Sequence, residues 1–152
     1  MHMAKQLSVS LVNKPGRLAA MLAALNKGKV NFRALVVMDS GDRGTVRFVP
    51  DDFDTAAEVL KKGNIRYDTS DVLLVEVPKQ PGAFRKICER LAADHLNIDY
   101  AYSSFASEKG TKEGGLAVIK VNNLAKARRI LGENGNTRRR KQQPGRRPTH
   151  AR

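Results

Sequence analysis

A short turn between a strand-like run and a helix-like run holds the residues best suited to bind a ligand. It reads "NKPG", from Asn13 to Gly16. Proline presets φ for a helix start, glycine leaves the backbone uncovered, and the first N–H groups of a helix have no partner within it. An anion such as a carboxylate can accept hydrogen bonds from those groups. Alternatively, Asn13 only caps the helix and Pro15 and Gly16 only shape the turn.

The same turn returns as "KQPG", from Lys79 to Gly82. Lys79 and Gln80 replace the Asn-Lys pair of the first turn, and Ala83 stands where the first copy has Arg17. The second turn therefore has fewer polar side chains. The sequence favours the first turn as a ligand site and an architectural role for the second.

The remaining polar residues do not form a set that would catalyse a reaction or bind a metal. His95 is a lone histidine near a helix end, and Asp51, Asp52 and Asp54 lie where a helix cap and first-turn acids belong. The sequence has no nucleophile–base set, phosphate loop or metal signature. We therefore expect no enzymatic activity, no cofactor and no metal.

The segments around the first turn predict a β-α-β-β-α-β unit. The run "QLSVSLV" alternates apolar and polar residues as a strand does, whereas "RLAAMLAALNKG" repeats apolar residues at helical spacing. The segments "VNFRALVVMD" and "TVRFV" predict a hairpin across the turn "SGDRG". A second helix in "DDFDTAAEVLKKG" and a short last strand in "IRY" complete the unit. This order is the ferredoxin-like arrangement, with two helices on one face of an antiparallel sheet.

The second half of the chain repeats this unit. When Gly82 is aligned with Gly16, "VLLVEV" is the first strand, "AFRKICERLAADH" the helix, with Cys88 in the core, and "NIDYAYSSFA" the next strand. Up to this point the two copies are offset by 66 residues, whereas the strand "LAVIKV" aligns at an offset of 72, with Ala117 matched to Thr45. The second hairpin therefore carries about six extra residues. The segment "NNLAKARRILGENG" predicts the last helix. No last strand follows it, which leaves a sheet edge open to a partner or means that the natural C-terminus differs.

Composition limits the classes of function. The chain has 152 residues, 41% of them hydrophobic and 5% aromatic, with no Trp, so its core is modest and aliphatic and a large catalytic pocket is not favoured. The single cysteine, Cys88, excludes an internal disulfide framework. No apolar run approaches the roughly 20 residues of a membrane helix. We expect a cytoplasmic protein that does not span a membrane, and we interpret Met1–Met3 as an expression scar.

The net charge of +13 is concentrated at the C-terminus. Seven basic residues and no acid follow from Arg138 onward, which leaves 21 basic against 15 acidic residues upstream. The segment 136–152 has almost no apolar residue to bury, so the sequence predicts a disordered, solvated tail. Such a tail could still contact nucleic acid non-specifically through the phosphate backbone.

Taken together, these motifs resemble the ACT domain family, whose members are small amino-acid-binding regulatory modules. Each copy has an apolar strand, then "NKPGRL" or "KQPGAF", an amphipathic helix, and then "VNF" or "LNI". The resemblance implies an α+β fold of two ferredoxin-like βαββαβ domains in tandem, with antiparallel sheets and helices on one face. It places the first ACT domain at residues 1–69, the second at 70–135 and the tail at 136–152.

The resemblance also implies a free amino acid as the ligand, held at an ACT–ACT interface by the proline-glycine turn and the strand after the first helix. In the first copy it implicates Asn13, Lys14, Gly16, Arg17, Leu18 and Asn31, with the strand segment Leu35, Val36, Val37, Met38 and Asp39. In the second copy it implicates Gln80, Gly82, Ala83, Phe84 and Asn97, with Tyr100 and Tyr102. Since domains of the family pair side by side, we expect a homodimer.

Two further interpretations stay open at this point. Tyr100, Tyr102 and Phe105 alternate on one strand, so they share a face that packs against another layer, lines a pocket or forms a dimer interface. The RNA recognition motif has the same order of elements, and "DRGTVRFV" resembles its third strand. That motif needs aromatic residues to stack bases, and Thr45 and Arg47 stand at those positions. An RNA-binding module is therefore the alternative function.

Overall fold

Strands and helices follow one another in the order that the repeat predicts. The computed structural model describes residues 1–104 and 114–132. The strands are β1 (His2–Val12), β2 (Phe32–Ser40), β3 (Arg43–Pro50), β4 (Tyr67–Pro78), β5 (Ile98–Ser103) and β6 (Gly114–Val121). The helices are α1 (Arg17–Lys27), α2 (Phe53–Lys62), α3 (Ala83–Ala93) and α4, which occupies 124–132. The predicted tail and Phe105 lie outside the described residues.

The helices form where apolar spacing and end signals agree. In α2 the side chain of Asp52 accepts a hydrogen bond from the N–H of Thr55 at 3.2 Å, Asp54 lies in the first turn, and two lysines lie in the last turn. Acids at the start of a helix and bases at its end interact favourably with the helix dipole. The buried residues are Met21 and Leu25 in α1, Ala56, Ala57 and Leu60 in α2, and Ile87 and Leu91 in α3. Cys88, which the sequence predicts in the core, is only partly buried.

All six strands form one antiparallel sheet in the order β2-β3-β1-β4-β6-β5. The centre of this sheet is β4, which serves both copies. The sequence predicts a short last strand at Ile65–Tyr67 and a separate first strand at Val72–Val77, but β4 runs from Tyr67 through the second of these segments without a break. The boundary predicted between residues 69 and 70 therefore lies inside a continuous strand.

The N-terminus of β1 supplies the strand that the second copy lacks in its own half of the chain. His2 pairs with Leu74, Met3 with Leu73 and Ala4 with Val72, on the side of β4 where a last strand would lie. The segment interpreted as an expression scar therefore takes part in the fold. The prediction of an open sheet edge is wrong over Val72–Leu74, because β1 extends far enough to cover it.

The sheet register corrects the alignment of the two hairpins. Leu7 pairs with Phe48 in the first copy, and its counterpart Leu73 pairs with Ile119 in the second. Phe48 and Ile119 are therefore equivalent, whereas the predicted alignment matches Phe48 with Lys120. The second hairpin is thus one residue shorter than the sequence predicts. Since a slip of one residue exchanges the two faces of a strand, this correction decides which side chains are equivalent in the two copies.

Three apolar clusters hold the sheet and helices together. On the helical face, one cluster in each copy joins the strands to the helices, with Leu7 and Leu25 in the first and Leu73 and Leu91 in the second. The third lies on the face without helices and contains Ala34 and Val49 with Val72, Leu74, Leu116 and Val118. The edge strands β2 and β5 also contact each other, and the Ser104 hydroxyl donates to the Arg33 carbonyl. The sheet therefore curls, and the helix-free faces of the two copies close on each other.

Candidate functional site

The first turn is fixed by the neighbouring hairpin. The N–H of Asn13 donates to the carbonyl of Asp42 at 2.9 Å, and its side-chain amide reaches the carbonyl of Gly41 at 3.4 Å. The residue that caps α1 is Gly16, with φ of 83°, and no side chain in the described part of the chain accepts a hydrogen bond from the first turn of the helix. Asn13 therefore ties the turn to the β2–β3 hairpin and does not cap the helix.

In both turns, N–H groups at the start of a helix have no acceptor among the described residues. In the first copy, Arg17 donates to the carbonyl of Lys14 at 3.3 Å and Ala20 to that of Gly16 at 2.9 Å. The N–H groups of Leu18 and Ala19 then have no acceptor among the described residues.

The second turn repeats this backbone pattern. Ala83 donates to the carbonyl of Gln80 at 3.2 Å and Lys86 to that of Gly82 at 3.0 Å, and Gly82 has φ of 78°. The N–H groups of Phe84 and Arg85 likewise lack an acceptor in the described part of the chain. Helix N-termini of this kind favour anions. The two copies are therefore equivalent in backbone and differ in side chains.

Only part of the predicted strand segment in the first copy faces this turn. Leu35 packs against the first core on the helical face, so alternation along the strand places Val37 and Asp39 on that face too. Asp39 accepts a hydrogen bond from the N–H of Gly41 at 3.1 Å. Val36 and Met38 point to the opposite face, where Met38 Sδ lies 3.6 Å from Nη1 of Arg47. These last two residues are not brought to the turn.

The two predicted asparagines lie at the other end of their strands. The N–H of Asn31 donates to Oδ1 of Asp51 at 3.0 Å, and the N–H of Asn97 donates to the side-chain oxygen of Asn122 at 3.1 Å. Phe32, next to Asn31, pairs with Pro50 at the far end of β3 from the turn. Asn31 and Asn97 therefore join the start of one strand to the end of the next, away from the two proline-glycine turns.

A cavity of about 500 Å³ lies beside the second turn. It lies between the N-terminus of α3 and the ends of β4, β5 and β6. We call it the second-turn cavity. Its described walls are Val77, Lys79, Phe84, Ala101, Tyr102, Ser103, Gly114, Gly115, Leu116 and Ala117.

Small side chains open this cavity. In the corrected register, Ala101 is equivalent to Leu35 and Ala117 to Val46. Both first-copy residues pack in or against the first core. Phe84, equivalent to Leu18, is 39% exposed at the edge of the cavity. Among the described residues, the second copy thus has only small side chains at positions where the first copy has larger aliphatic ones.

Sequence reasoning missed most of these walls. It identified Phe84 and Tyr102, but it passed over Ala101, Gly115 and Ala117, because a small side chain without a polar group gives no local signal of a binding site. The signal that could have found them is the loss of side-chain size between equivalent positions of the two copies. The predicted alignment compares Ala117 with Thr45, which lies on the other face of its strand, so the comparison fails.

Glycine is required at one point of the cavity rim. Gly114 has φ of 139°, and a Cβ there would lie 2.5 Å from the carbonyl oxygen of Val77. The next glycine, Gly115, is different, because a Cβ built on it meets no atom within 4 Å. The backbone of β6 therefore approaches β4 closely at the rim and leaves open space immediately beside it.

Tyr100 and Tyr102 meet Gln6 where the two copies join, a region that we call the seam. Gln6 is fully buried. Its Nε2 donates to the hydroxyl of Tyr100 at 2.6 Å, and the hydroxyl of Tyr102 donates to its Oε1 at 2.7 Å. The guanidinium carbon of Arg47 lies 4.1 Å from the centre of the Tyr100 ring. The predicted shared face of these tyrosines is thus used for packing between the copies of one chain, and Tyr102 also borders the second-turn cavity.

The seam bears on the RNA-binding alternative. An RNA recognition motif stacks bases on the sheet face that carries no helices. Here that face holds the third apolar cluster and the buried Gln6. Arg47 lies against Tyr100 on the same face, and its Nε is buried. No observation in the described residues supports base stacking on this sheet.

The described residues contain neither a metal-ligand cluster nor a helix that could span a membrane. No three His, Cys, Asp or Glu residues within 1–104 and 114–132 lie close enough together to hold a metal ion. In the same ranges, no helix is both long enough and apolar enough to cross a membrane. His95 follows α3 with φ of 58°, and its N–H donates to the carbonyl of Ala92 at 3.0 Å.

Comparison with solved structures gives proteins of the same architecture. Protein BT0572 from Bacteroides thetaiotaomicron has a TM-score of 0.80 and 34% sequence identity, over 88% of this chain and 89% of its own. The regulatory subunit of aspartate kinase from Thermus thermophilus has a TM-score of 0.59 and 15% identity, over 88% of this chain and 97% of its own. The corresponding subunit from Thermus flavus has a TM-score of 0.58 and 18% identity, over 86% and 91%. At identities this low, the likeness to the two kinase subunits shows that they share the fold of this chain, and nothing more.

The family assignment follows from sequence as well. No curated protein sequence matches this chain significantly. The family model described as an ACT domain pair matches residues 2–137, a range that contains both turns and both sets of strands and helices. The chain therefore belongs to the ACT domain family and contains two ACT domains in tandem.

Proposed function

We propose that this protein is a regulatory module that binds a free amino acid and catalyses no reaction. The observation that carries the proposal is the cavity of about 500 Å³ lined by Phe84, a residue at the start of α3 whose N–H has no acceptor among the described residues. Small-molecule sites in proteins are mostly apolar clefts of about this size with a few polar groups. The Thermus subunits, which share the fold, are named as regulatory subunits, which supports a regulatory role for a chain of this shape.

The geometry of the second turn suits an amino-acid backbone. The N–H groups of Phe84 and Arg85 can donate to the carboxylate, and the positive end of the α3 dipole favours its charge. Lys79 on the cavity wall adds a positive side chain. The side chain of the ligand then extends between β5, β6 and α3.

Our proposal holds the ligand in the second copy, whereas the sequence favours the first. The first turn has more polar side chains, those of Asn13, Lys14 and Arg17. However, Asn13 already forms hydrogen bonds with the β2–β3 hairpin. Leu35 packs against the first core at the place that the ligand side chain would occupy. A carboxylate needs only the backbone N–H groups that both turns share. The space available for the ligand side chain therefore supports the second turn as the proposed site.

A homodimer is part of the proposal. The antiparallel pairing of β1 and β4 directs the first turn and the second turn to opposite ends of the sheet, so the two turns of one chain do not meet. A site that combines two such turns needs a second chain. Val12 and Val37, near the first turn, are 39% and 48% exposed, and a partner would cover them. We expect the module in the cytoplasm, since its single Cys88 is free and suits a reducing compartment.

Titration with the twenty standard amino acids tests the function. Isothermal calorimetry on the full chain should detect saturable binding of at least one of them, and sedimentation should show a dimer. If none of the twenty binds, and RNA binding is found that survives removal of residues 138–152, the RNA-binding alternative replaces this proposal.

A further inference from the structure

We propose that the second-turn cavity selects amino acids with a large apolar side chain, and that the equivalent place in the first copy is closed to them. This inference rests on the proposed function, which holds the ligand in the second copy, and adds the class of ligand and the reason why the first copy excludes it. Three features of the molecule support it: the chemistry of the walls, the size of the space and the difference between the two copies.

The walls favour an apolar side chain. Val77, Phe84, Ala101 and Ala117 present hydrocarbon surface, and Lys79 is the one charged residue among the described lining residues. A polar or charged side chain would lose its hydration against such walls and gain no matching hydrogen bonds. An apolar side chain gains free energy in proportion to the surface it removes from water.

The size of the space favours a large side chain. After the backbone of the ligand is placed at the N-terminus of α3, the cavity still extends to Ala101 and Ala117 on the sheet. A side chain as small as that of alanine would leave these walls without contacts, and each missing contact lowers the dispersion attraction. A leucine, methionine or phenylalanine side chain reaches them.

The first copy is filled by its own residues. Leu35 and Val46 pack in or against the first core at the positions of Ala101 and Ala117. Phe84 provides a further sign of the difference, since its ring is 39% exposed, whereas the equivalent Leu18 is packed against the first core. An apolar ligand side chain therefore has a place in the second copy and meets protein side chains in the first.

Calorimetry on the full chain with phenylalanine, leucine, methionine, alanine, serine and aspartate tests the class of ligand. We expect one of the three large apolar amino acids to bind at least about tenfold more tightly than alanine, serine or aspartate, because each missing methylene in an apolar pocket costs about tenfold or more. One site per chain should be filled. Tighter binding of serine or aspartate, or two equal sites per chain, overturns the inference and leaves the proposed function standing. Failure of all twenty amino acids overturns both.

Two equivalent glycines provide a matched pair of variants for locating the site. Gly115 lies on the cavity wall opposite Val77, and Gly44 holds the same position opposite Leu11 in the first copy. A Cβ at Gly115 meets no atom within 4 Å, and one at Gly44 meets only the carbonyl oxygen of Met38 at 3.6 Å, an ordinary contact. Both strands should therefore accept valine.

We expect Gly115→Val to weaken binding at least about tenfold, since its methyl groups occupy the cavity, and Gly44→Val to leave the affinity unchanged. Ala101→Leu, which installs the residue of the first copy, should act as Gly115→Val does. Circular dichroism and thermal unfolding confirm that each variant is folded. Loss of binding in Gly44→Val with retention in Gly115→Val and Ala101→Leu would place the ligand in the first copy and contradict the inference.

Discussion

The hydroxyl of Tyr102 on β5 donates a hydrogen bond of 2.7 Å to Oε1 of Gln6 on β1, although the two residues are 96 positions apart in sequence. Gln6 is the one fully buried polar residue of the described core, and its amide nitrogen donates in turn to Tyr100 at 2.6 Å. A buried amide requires such partners, because an unpaired one costs free energy. The two ACT domains are therefore joined by a specific polar contact as well as by the continuous sheet.

Removing this contact should destabilise the protein. Tyr102→Phe deletes the donor and leaves Oε1 of Gln6 buried without a partner, so we expect the free energy of unfolding to fall by about 1–3 kcal/mol. Urea unfolding followed by circular dichroism measures the change. Tyr67→Phe is the control, since Tyr67 packs beside the first core and its hydroxyl bonds no other described residue. Its loss should cost less than about 0.5 kcal/mol. Equal effects of the two variants would contradict this role of Gln6.

Alkaline pH should weaken the fold through the same tyrosine. Burial raises the pKa of Tyr102 well above the ordinary tyrosine value of about 10, the neighbouring Tyr100 adds to this, and Arg47 opposes it. The unfolded chain then releases its phenolic proton at lower pH than the folded chain. The contribution of Tyr102 to the free energy of unfolding is therefore fully present below about pH 10. It decreases as the pH rises above that value, because deprotonation then favours the unfolded chain. Unfolding free energies measured from pH 8 to 11 should fall less steeply in Tyr102→Phe than in the wild type, and equal slopes would disprove the link.

The sequence predicted the order of the elements and missed how the two copies share strands. Apolar spacing located α1 and α3 because each helix buries a stripe that the sequence repeats, with Met21 and Leu25 matching Ile87 and Leu91. Spacing within one copy contains no information on pairing between copies. The joining of β4 into one strand and the pairing of His2 with Leu74 depend on the tertiary arrangement.

The candidate site, too, was predictable from the sequence only in part. The turns themselves were predictable, since proline, glycine and a following apolar helix are local signals. The cavity was not predictable, because it arises from the small size of the Ala101 and Ala117 side chains. A small residue leaves a cavity only if no neighbouring side chain fills the space, and the sequence does not show which residues are neighbours. The sequence therefore directed attention to Asn13 and Arg17, whose polar groups are visible in the one-dimensional pattern.

Truncation of residues 1–4 should loosen the second domain first. His2, Met3 and Ala4 pair with Leu74, Leu73 and Val72, so their removal exposes that edge of β4 to water. We expect the free energy of unfolding to fall by about 1–3 kcal/mol, the value of two or three backbone hydrogen bonds. Hydrogen exchange followed by mass spectrometry should show faster exchange over 72–77 and little change over 43–50. A uniform increase across both ranges would instead indicate a global loss of stability.

The two turn glycines should resist substitution because of their backbone conformation. Gly16 and Gly82 have φ of 83° and 78°, a region in which a side chain costs about 1–2 kcal/mol. At Gly16 a Cβ would meet no atom within 4 Å, so steric contact is not the cause. Gly16→Ala and Gly82→Ala should therefore each lower the free energy of unfolding by about 1–2 kcal/mol. Gly115→Ala, where the structure has ordinary φ and open space, should have almost no effect, and a similar loss there would refute the conformational explanation.

Phe84 and Leu18 occupy the same position in the two copies and should give opposite results when shortened to alanine. Leu18 packs against the first core, so Leu18→Ala should lower the free energy of unfolding by about 1–3 kcal/mol and leave amino-acid binding unchanged. Phe84 is 39% exposed and lines the second-turn cavity. Phe84→Ala should therefore change stability by less than about 1 kcal/mol and weaken binding of a large apolar amino acid about tenfold. Urea unfolding and calorimetry on both variants measure the two quantities independently. Binding that depends on Leu18 and not on Phe84 would mean that the polar first turn holds the ligand after all.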